Sequence, residues 1–127
     1  MEHVGNKMGT YVGEVINQTF NEDRSVSAHI RIKDVGQLGA IVGTCTFEAP
    51  ESPEHNTGIY RERGYSLASD GSPVMYRCAG VWRETNPGGN WEVKHCAVNA
   101  EGIRVFVVLH FKTEDMSVTA TLYELDS

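Results

Sequence analysis

Residues 102–124, GIRVFVVLHFKTEDMSVTATLYE, decide the fold. Ile103, Val105, Val107, Leu109 and Phe111 recur at every second position. Beyond a polar stretch, Met116, Val118, Ala120 and Leu122 do the same. A period of two marks a pleated strand with one buried face. Pairing Phe111 with Met116 leaves a four-residue connection and sets Leu109 against Val118 and Val107 against Ala120. Apolar residues then meet along the whole pair, which is what fixes a register. The segment reads as an antiparallel hairpin.

Six further runs carry the same alternation: residues 9–17, 25–33, 39–48, 58–67, 73–84 and 91–98. Val, Ile, Thr, Tyr, Phe and Trp dominate them, as half-buried pleated surfaces require. No segment sustains the helical i, i+3, i+4, i+7 pattern, and the best helical candidate is one turn near residues 17–23. Eight strands would place about 60% of the chain in sheet, far above ordinary domains, and closure accounts for such a level because it removes both edges. The expected fold is all-β: a single antiparallel up-and-down β-barrel of about eight strands.

The 127 residues suit one domain, with residues 1–8 expected as a flexible tail. Asn21-Glu22-Asp23-Arg24, Ser69-Asp70-Gly71-Ser72 and Asn86-Pro87-Gly88-Gly89 are turn clusters. Residues 48–57, EAPESPEHNT, form the one long loop, read either as a lid at a barrel mouth or as a solvated connector. Of the 13 glycines, Gly13, Gly43, Gly64 and Gly80 fall inside strands, where they permit the bending that closure needs.

A net charge of −6 argues against a groove for nucleic acid. No apolar window is long enough for a transmembrane helix, so no membrane partner is expected. Met1-Glu2-His3 opens no signal peptide, and the three cysteines, Cys45, Cys78 and Cys96, are expected as reduced thiols of a cytoplasmic protein.

Alternation assigns inward faces. Residues 73–84 turn Val74, Tyr76, Cys78, Gly80 and Trp82 inward, because Arg77 and Arg83 share the other face. Residues 91–98 turn Trp91, Val93, His95 and Ala97 inward, opposite Glu92 and Lys94. Two faces stay open. Residues 58–67 set Ile59, Arg61, Arg63, Tyr65 and Leu67 against Tyr60, Glu62, Gly64 and Ser66, and residues 9–17 set Tyr11, Gly13 and Val15 against Val12, Glu14 and Ile16.

Three constellations could carry chemistry. If Trp82 lies opposite Trp91, then Cys78 lies opposite His95, with Cβ atoms ~5 Å apart, and an imidazole could draw the thiol's proton. The alternative is a buried thiol beside a core histidine. Glu14, if inward, would be a desolvated general acid; if outward, an ordinary surface acid. Tyr65, Tyr76, Trp82 and Trp91, with Arg61, would line a ligand pocket or simply fill the barrel. The histidines (His3, His29, His55, His95, His110) show no HxH or HxxxH spacing and the cysteines no CxxC, so no metal or other cofactor is expected. Outward Phe106 and Val108, with Ala79, Val81, Cys96 and Val98 nearby, form an apolar patch that suits a homodimer.

Gly9-Thr10-Tyr11-Val12-Gly13 resembles the G-x-W opening of calycin barrels, with Tyr in place of Trp. Residues 64–91, with Ser69-Asp70-Gly71 entering a strand and Gly80 and Gly88-Gly89 following, are similar to small barrels of the allene oxide cyclase-like group. The resemblance implies an antiparallel barrel of about eight strands, often oligomeric, with a cavity entered from one end. Some such barrels are cofactor-free cyclases and others only bind. Residues 116–124 lack the arginine that many calycins carry on the last strand, and no catalytic residue transfers.

The expected function is a small-molecule-binding barrel acting as a cofactor-free cyclase or isomerase on a small apolar or amphipathic molecule. Tyr76, His95, Glu14 and Cys78 are the candidate catalytic residues, and Arg61, Tyr65, Trp82 and Trp91 the candidate substrate-binding ones. A non-enzymatic carrier or sensor is the first alternative, and a filled structural or protein-interaction barrel the second.

Overall fold

A computed structural model describes residues 3–126 apart from 51, 53, 69, 87, 88, 99–101 and 103. Eight strands are present: β1 (His3–Phe20), β2 (Val26–Ile32), β3 (Ala40–Phe47), β4 (Thr57–Leu67), β5 (Pro73–Asn86), β6 (Asn90–Val98), β7 (Arg104–Lys112) and β8 (Ser117–Asp126). Each pairs antiparallel with its successor, and β1 pairs with β8, closing the barrel. Among the described residues no helix is long and apolar enough to cross a membrane.

The inward faces follow the alternation. Val105, Val107, Leu109 and Phe111 are buried, and so are Val118, Ala120 and Leu122. Ile103 lies outside the described residues, as do Ser69, Pro87 and Gly88 of two turn clusters. The two open faces resolve as Tyr60, Glu62, Gly64 and Ser66 inward on β4, and Tyr11, Gly13 and Val15 inward on β1. Burying that face of β4 takes in one charge, whereas the other would take in two arginines.

Two expected registers slip by two residues. Phe111 pairs with Val118, not Met116, and Gly80 pairs with His95, so that Trp82 faces Val93 and Trp91 faces Glu84. A two-residue slip keeps every side chain on its face, so alternation cannot detect it. Turn chemistry decides the β7–β8 case. Asp115 Oδ1 accepts hydrogen bonds from the Ser117 N–H (3.2 Å) and Oγ (2.7 Å), and Met116, at φ 53°, becomes a turn residue. Asp23 and Ser25 (2.9 and 2.6 Å) repeat the device around Arg24 at φ 70°, and Asp70 and Ser72 (2.9 and 2.6 Å) repeat it around Gly71 at φ 86°.

Other expectations are corrected. No helical turn forms at residues 17–23: β1 runs to Phe20, and the Asn21 N–H donates to the Ser25 carbonyl to close a hairpin. Residues 3–8, expected as a tail, belong to β1. A 3-10 turn at Gly36–Leu38 was not foreseen, and it folds over the barrel end with Val35 buried.

The barrel is filled at one end and hollow at the other. At the filled end Phe47 is the hub of an aromatic cluster, with ring centroids 5.0 Å from Phe111, 4.9 Å from Trp91, 5.2 Å from Tyr60 and 6.3 Å from Trp82. The 48–57 connection lies at this end, and the Trp82 indole donates to the Glu48 carbonyl at 2.9 Å. None of its described residues lines the cavity at the other end.

Candidate functional site

The hollow end holds a cavity of about 320 Å³. Ile30, Ile32, Val107 and Leu109 form its apolar wall, with Val35 and Leu38 from the connection around the 3-10 turn. Glu62, Tyr76, Cys78 and His95 form a polar wall on β4, β5 and β6. Few convergent polar groups on an apolar surface is the usual composition of a small-molecule site.

Its entrance follows from the strand ladders. β5 pairs with β4 back to Pro73, and β6 pairs with β7 on to Val98, yet β5 and β6 pair with each other only from Gly80↔His95 to Asn86↔Asn90. Beyond Gly80 the two strands part. Met75, Arg77 and Cys78 stand on one rim of the resulting slit and Cys96, Ala97 and Val98 on the other, and all six line the cavity.

Glu62 is the centre of the polar wall. Its residue is only 6% exposed, yet both carboxylate oxygens have donors: Tyr60 donates to Oε1 and Tyr76 to Oε2. Cys45 Sγ lies 3.8 Å from Oε1 and 2.9 Å from the Tyr60 hydroxyl. The two phenol hydrogen bonds satisfy the polar atoms of the buried side chain. The cationic side chains of β4 to β6, Arg61, Arg63, Arg77, Arg83 and Lys94, all lie on the outer face.

Burial, with the Glu62 carboxylate beside it, holds the Tyr76 phenol well above its ordinary range. Burial first, then Cys45 and Glu62, does the same to Tyr60. Burial and Glu62 also push the Cys78 thiol up. These groups therefore stay protonated at neutral pH, and the two phenols act as donors. A thiol in that state is a poor nucleophile.

His95 is 7% exposed, and its ring stacks on Tyr60 at a centroid distance of 5.9 Å. Its Nδ1 lies 3.1 Å from the Cys96 carbonyl. A carbonyl only accepts, so Nδ1 is the donor in this contact, which leaves Nε2 for another partner. Two glycines make room for this wall. A Cβ on Gly43 would lie 2.5 Å from the Tyr76 hydroxyl, and one on Gly80 would lie 2.1 Å from the Lys94 carbonyl and 2.8 Å from His95 Cβ.

The structure brings together Tyr76, Cys78 and His95 from the expected site. Cys78 and His95 are diagonal neighbours rather than directly opposed, as the shifted register requires. It separates the others. Glu14 is outward, half-exposed and paired with Arg31, so it is no buried acid. Arg61 and Tyr65 are also outward, and Arg61 pairs with Glu48. Trp82 and Trp91 belong to the aromatic plug, with centroids 6.2 Å apart, and fill the barrel instead of lining its cavity. Glu62 was the residue missed; its signal was the single charge on the face of 58–67 that carries no arginine. Phe106 and Val108 lie half-buried on the outer face, the Phe106 ring 6.3 Å from that of Tyr123. No protein-family model, curated protein or solved structure matches the chain.

Proposed function

We propose that the barrel binds a small, mostly apolar molecule with one polar end, and isomerises or cyclises it by proton transfer. Glu62 carries the reading: a buried carboxyl side chain, fixed by two phenols, on the polar wall of a cavity whose opposite wall is apolar. Donors already in place need little reorganisation as charge moves. Tyr76 supplies a relay. A substrate proton passes to the phenol oxygen as the phenol proton passes to Glu62 Oε2, and the reverse movement delivers a proton to a second substrate atom. One bond to hydrogen breaks, another forms, and nothing is oxidised. The apolar wall holds a flexible substrate in a reactive conformer and limits proton exchange with water. The resemblance of residues 64–91 to allene oxide cyclase-like barrels supports the cyclising form of the reading.

Binding and chemistry are tested separately. A neutral apolar fluorophore, N-phenyl-1-naphthylamine, should bind one per barrel. A series of β,γ-unsaturated ketones should yield the conjugated isomers, with the substrate hydrogen largely retained when the reaction is run in heavy water. Glu62→Gln should slow that conversion by about 10²–10⁴-fold while probe binding remains. Binding without conversion across the series makes the protein a carrier. Absence of both ends the reading.

A further inference from the structure

Glu62, Cys78 and His95 come from three successive strands and meet at one point of the cavity wall. One carboxylate oxygen, the sulfur and one ring nitrogen all lie within 4.8 Å of one another. We propose that these three side chains form a binding site for a zinc-class divalent metal ion, with the fourth coordination position open to the cavity.

The donor set is the first argument. Thiolate, imidazole and carboxylate together suit a borderline ion such as zinc or cobalt, and not calcium or magnesium, which take oxygen ligands. Three protein ligands and one open position is the arrangement of catalytic zinc sites. Ligand–metal distances of ~2.0–2.3 Å place tetrahedral ligands ~3.3–3.7 Å apart. A contraction of about 1 Å, within reach of side-chain rotation, therefore closes the site.

The surroundings are the second argument. Metal-binding histidines generally donate their other ring N–H to an oxygen, and ligating carboxylates are themselves hydrogen-bonded. His95 already commits Nδ1 to the Cys96 carbonyl at 3.1 Å, which leaves Nε2 to ligate. Tyr60 and Tyr76 hold Glu62. The cationic side chains of β4 to β6 lie on the outer face, and of these only Arg77 reaches the cavity, at the rim of the slit. Binding breaks the Cys78 S–H bond, forms a sulfur–metal bond and releases one proton to solvent.

This goes beyond the proton-transfer reading and does not depend on it. An ion held here occupies the lone pairs of Glu62 and His95, so the metal-loaded and proton-transferring forms exclude each other. The test needs no substrate. Reduced, chelator-stripped protein is titrated with cobalt(II) chloride and then zinc sulfate. One equivalent of cobalt should produce a sulfur-to-cobalt charge-transfer band and tetrahedral visible bands, and zinc should abolish both. Cys78→Ser should lose the charge-transfer band, His95→Gln should weaken binding by at least about 100-fold, and Cys96→Ser should change neither. Should Cys78→Ser not fold, one equivalent of zinc should protect Cys78 of the unaltered chain from alkylation while Cys96 still reacts. Absence of cobalt bands, bands that persist in Cys78→Ser, or an unprotected Cys78 would overturn the proposal. The metal-free protein's ketone isomerisation, measured alongside, keeps the two readings apart.

Discussion

Inside the barrel, the Tyr76 hydroxyl donates to Glu62 Oε2 from the diagonal position on the neighbouring strand. Tyr76→Phe removes that donor without changing ring volume. A buried acceptor that loses its partner costs about 1–3 kcal/mol, so the variant should melt earlier in calorimetry. It should also slow ketone isomerisation, whereas a purely structural hydrogen bond would lower stability alone.

Gly43 should tolerate no side chain while the polar wall keeps its shape. A Cβ there would lie 2.5 Å from the Tyr76 hydroxyl, the far end of a side chain able to swing away. Gly43→Ala should therefore destabilise by about 1–3 kcal/mol and alter fluorophore affinity. Gly80→Ala meets the Lys94 backbone carbonyl, which cannot swing away, so the larger loss of thermal stability is expected there.

The aromatic plug should matter for stability and not for the ligand. Phe47→Ala or Trp82→Ala should cost about 3–5 kcal/mol in denaturant titration. Fluorophore affinity in the folded variants should stay close to that of the parent, because neither residue lines the cavity. A parallel loss of affinity would mean that the ligand sits at the filled end.

The slit between β5 and β6 should be visible in hydrogen exchange. Amides of residues 74–79 that face β6 have no ladder there, unlike those paired with β4. They should exchange much faster than the amides of β7 and β8, and a cavity ligand should slow them. Uniform protection around the barrel would show that the strands zip together in solution.

The aspartate–serine turns predict an acid limb. Hydrogen bonds from Ser25 and Ser72 hold Asp23 and Asp70 below the ordinary value of 3.8. A carboxyl depressed on folding stabilises above its unfolded pKa, and that contribution is lost as pH falls through the folded value. Melting temperature should therefore fall below about pH 4, and Asp70→Asn should flatten that fall. Arg24→Gly, which relieves a left-handed conformation, should stabilise by up to about 1 kcal/mol.

The strand number, the closed all-β class and the inward faces of β5 to β8 were legible in residues 9–124, because alternation is a local signal that burial enforces pair by pair. The faces of β1 and β4 were not, since each run is amphipathic in both senses. Glu14 and Glu62 look alike in the chain. Only closure sends Glu14 outward to Arg31 and Glu62 inward to two tyrosines. The same holds for Trp82 and His95, both inward by alternation, one in the plug and the other on the cavity wall. Their depth along the barrel depends on absolute register, and a two-residue slip leaves every face unchanged. Turn hydrogen bonds at Asp115 and the close strand approach at Gly80 select among those registers. The chain itself therefore determined a barrel and most of its inner surface. Tertiary structure decided which end is hollow and that Glu62, Cys78 and His95 meet there, because that convergence joins three strands across contacts that no local pattern encodes.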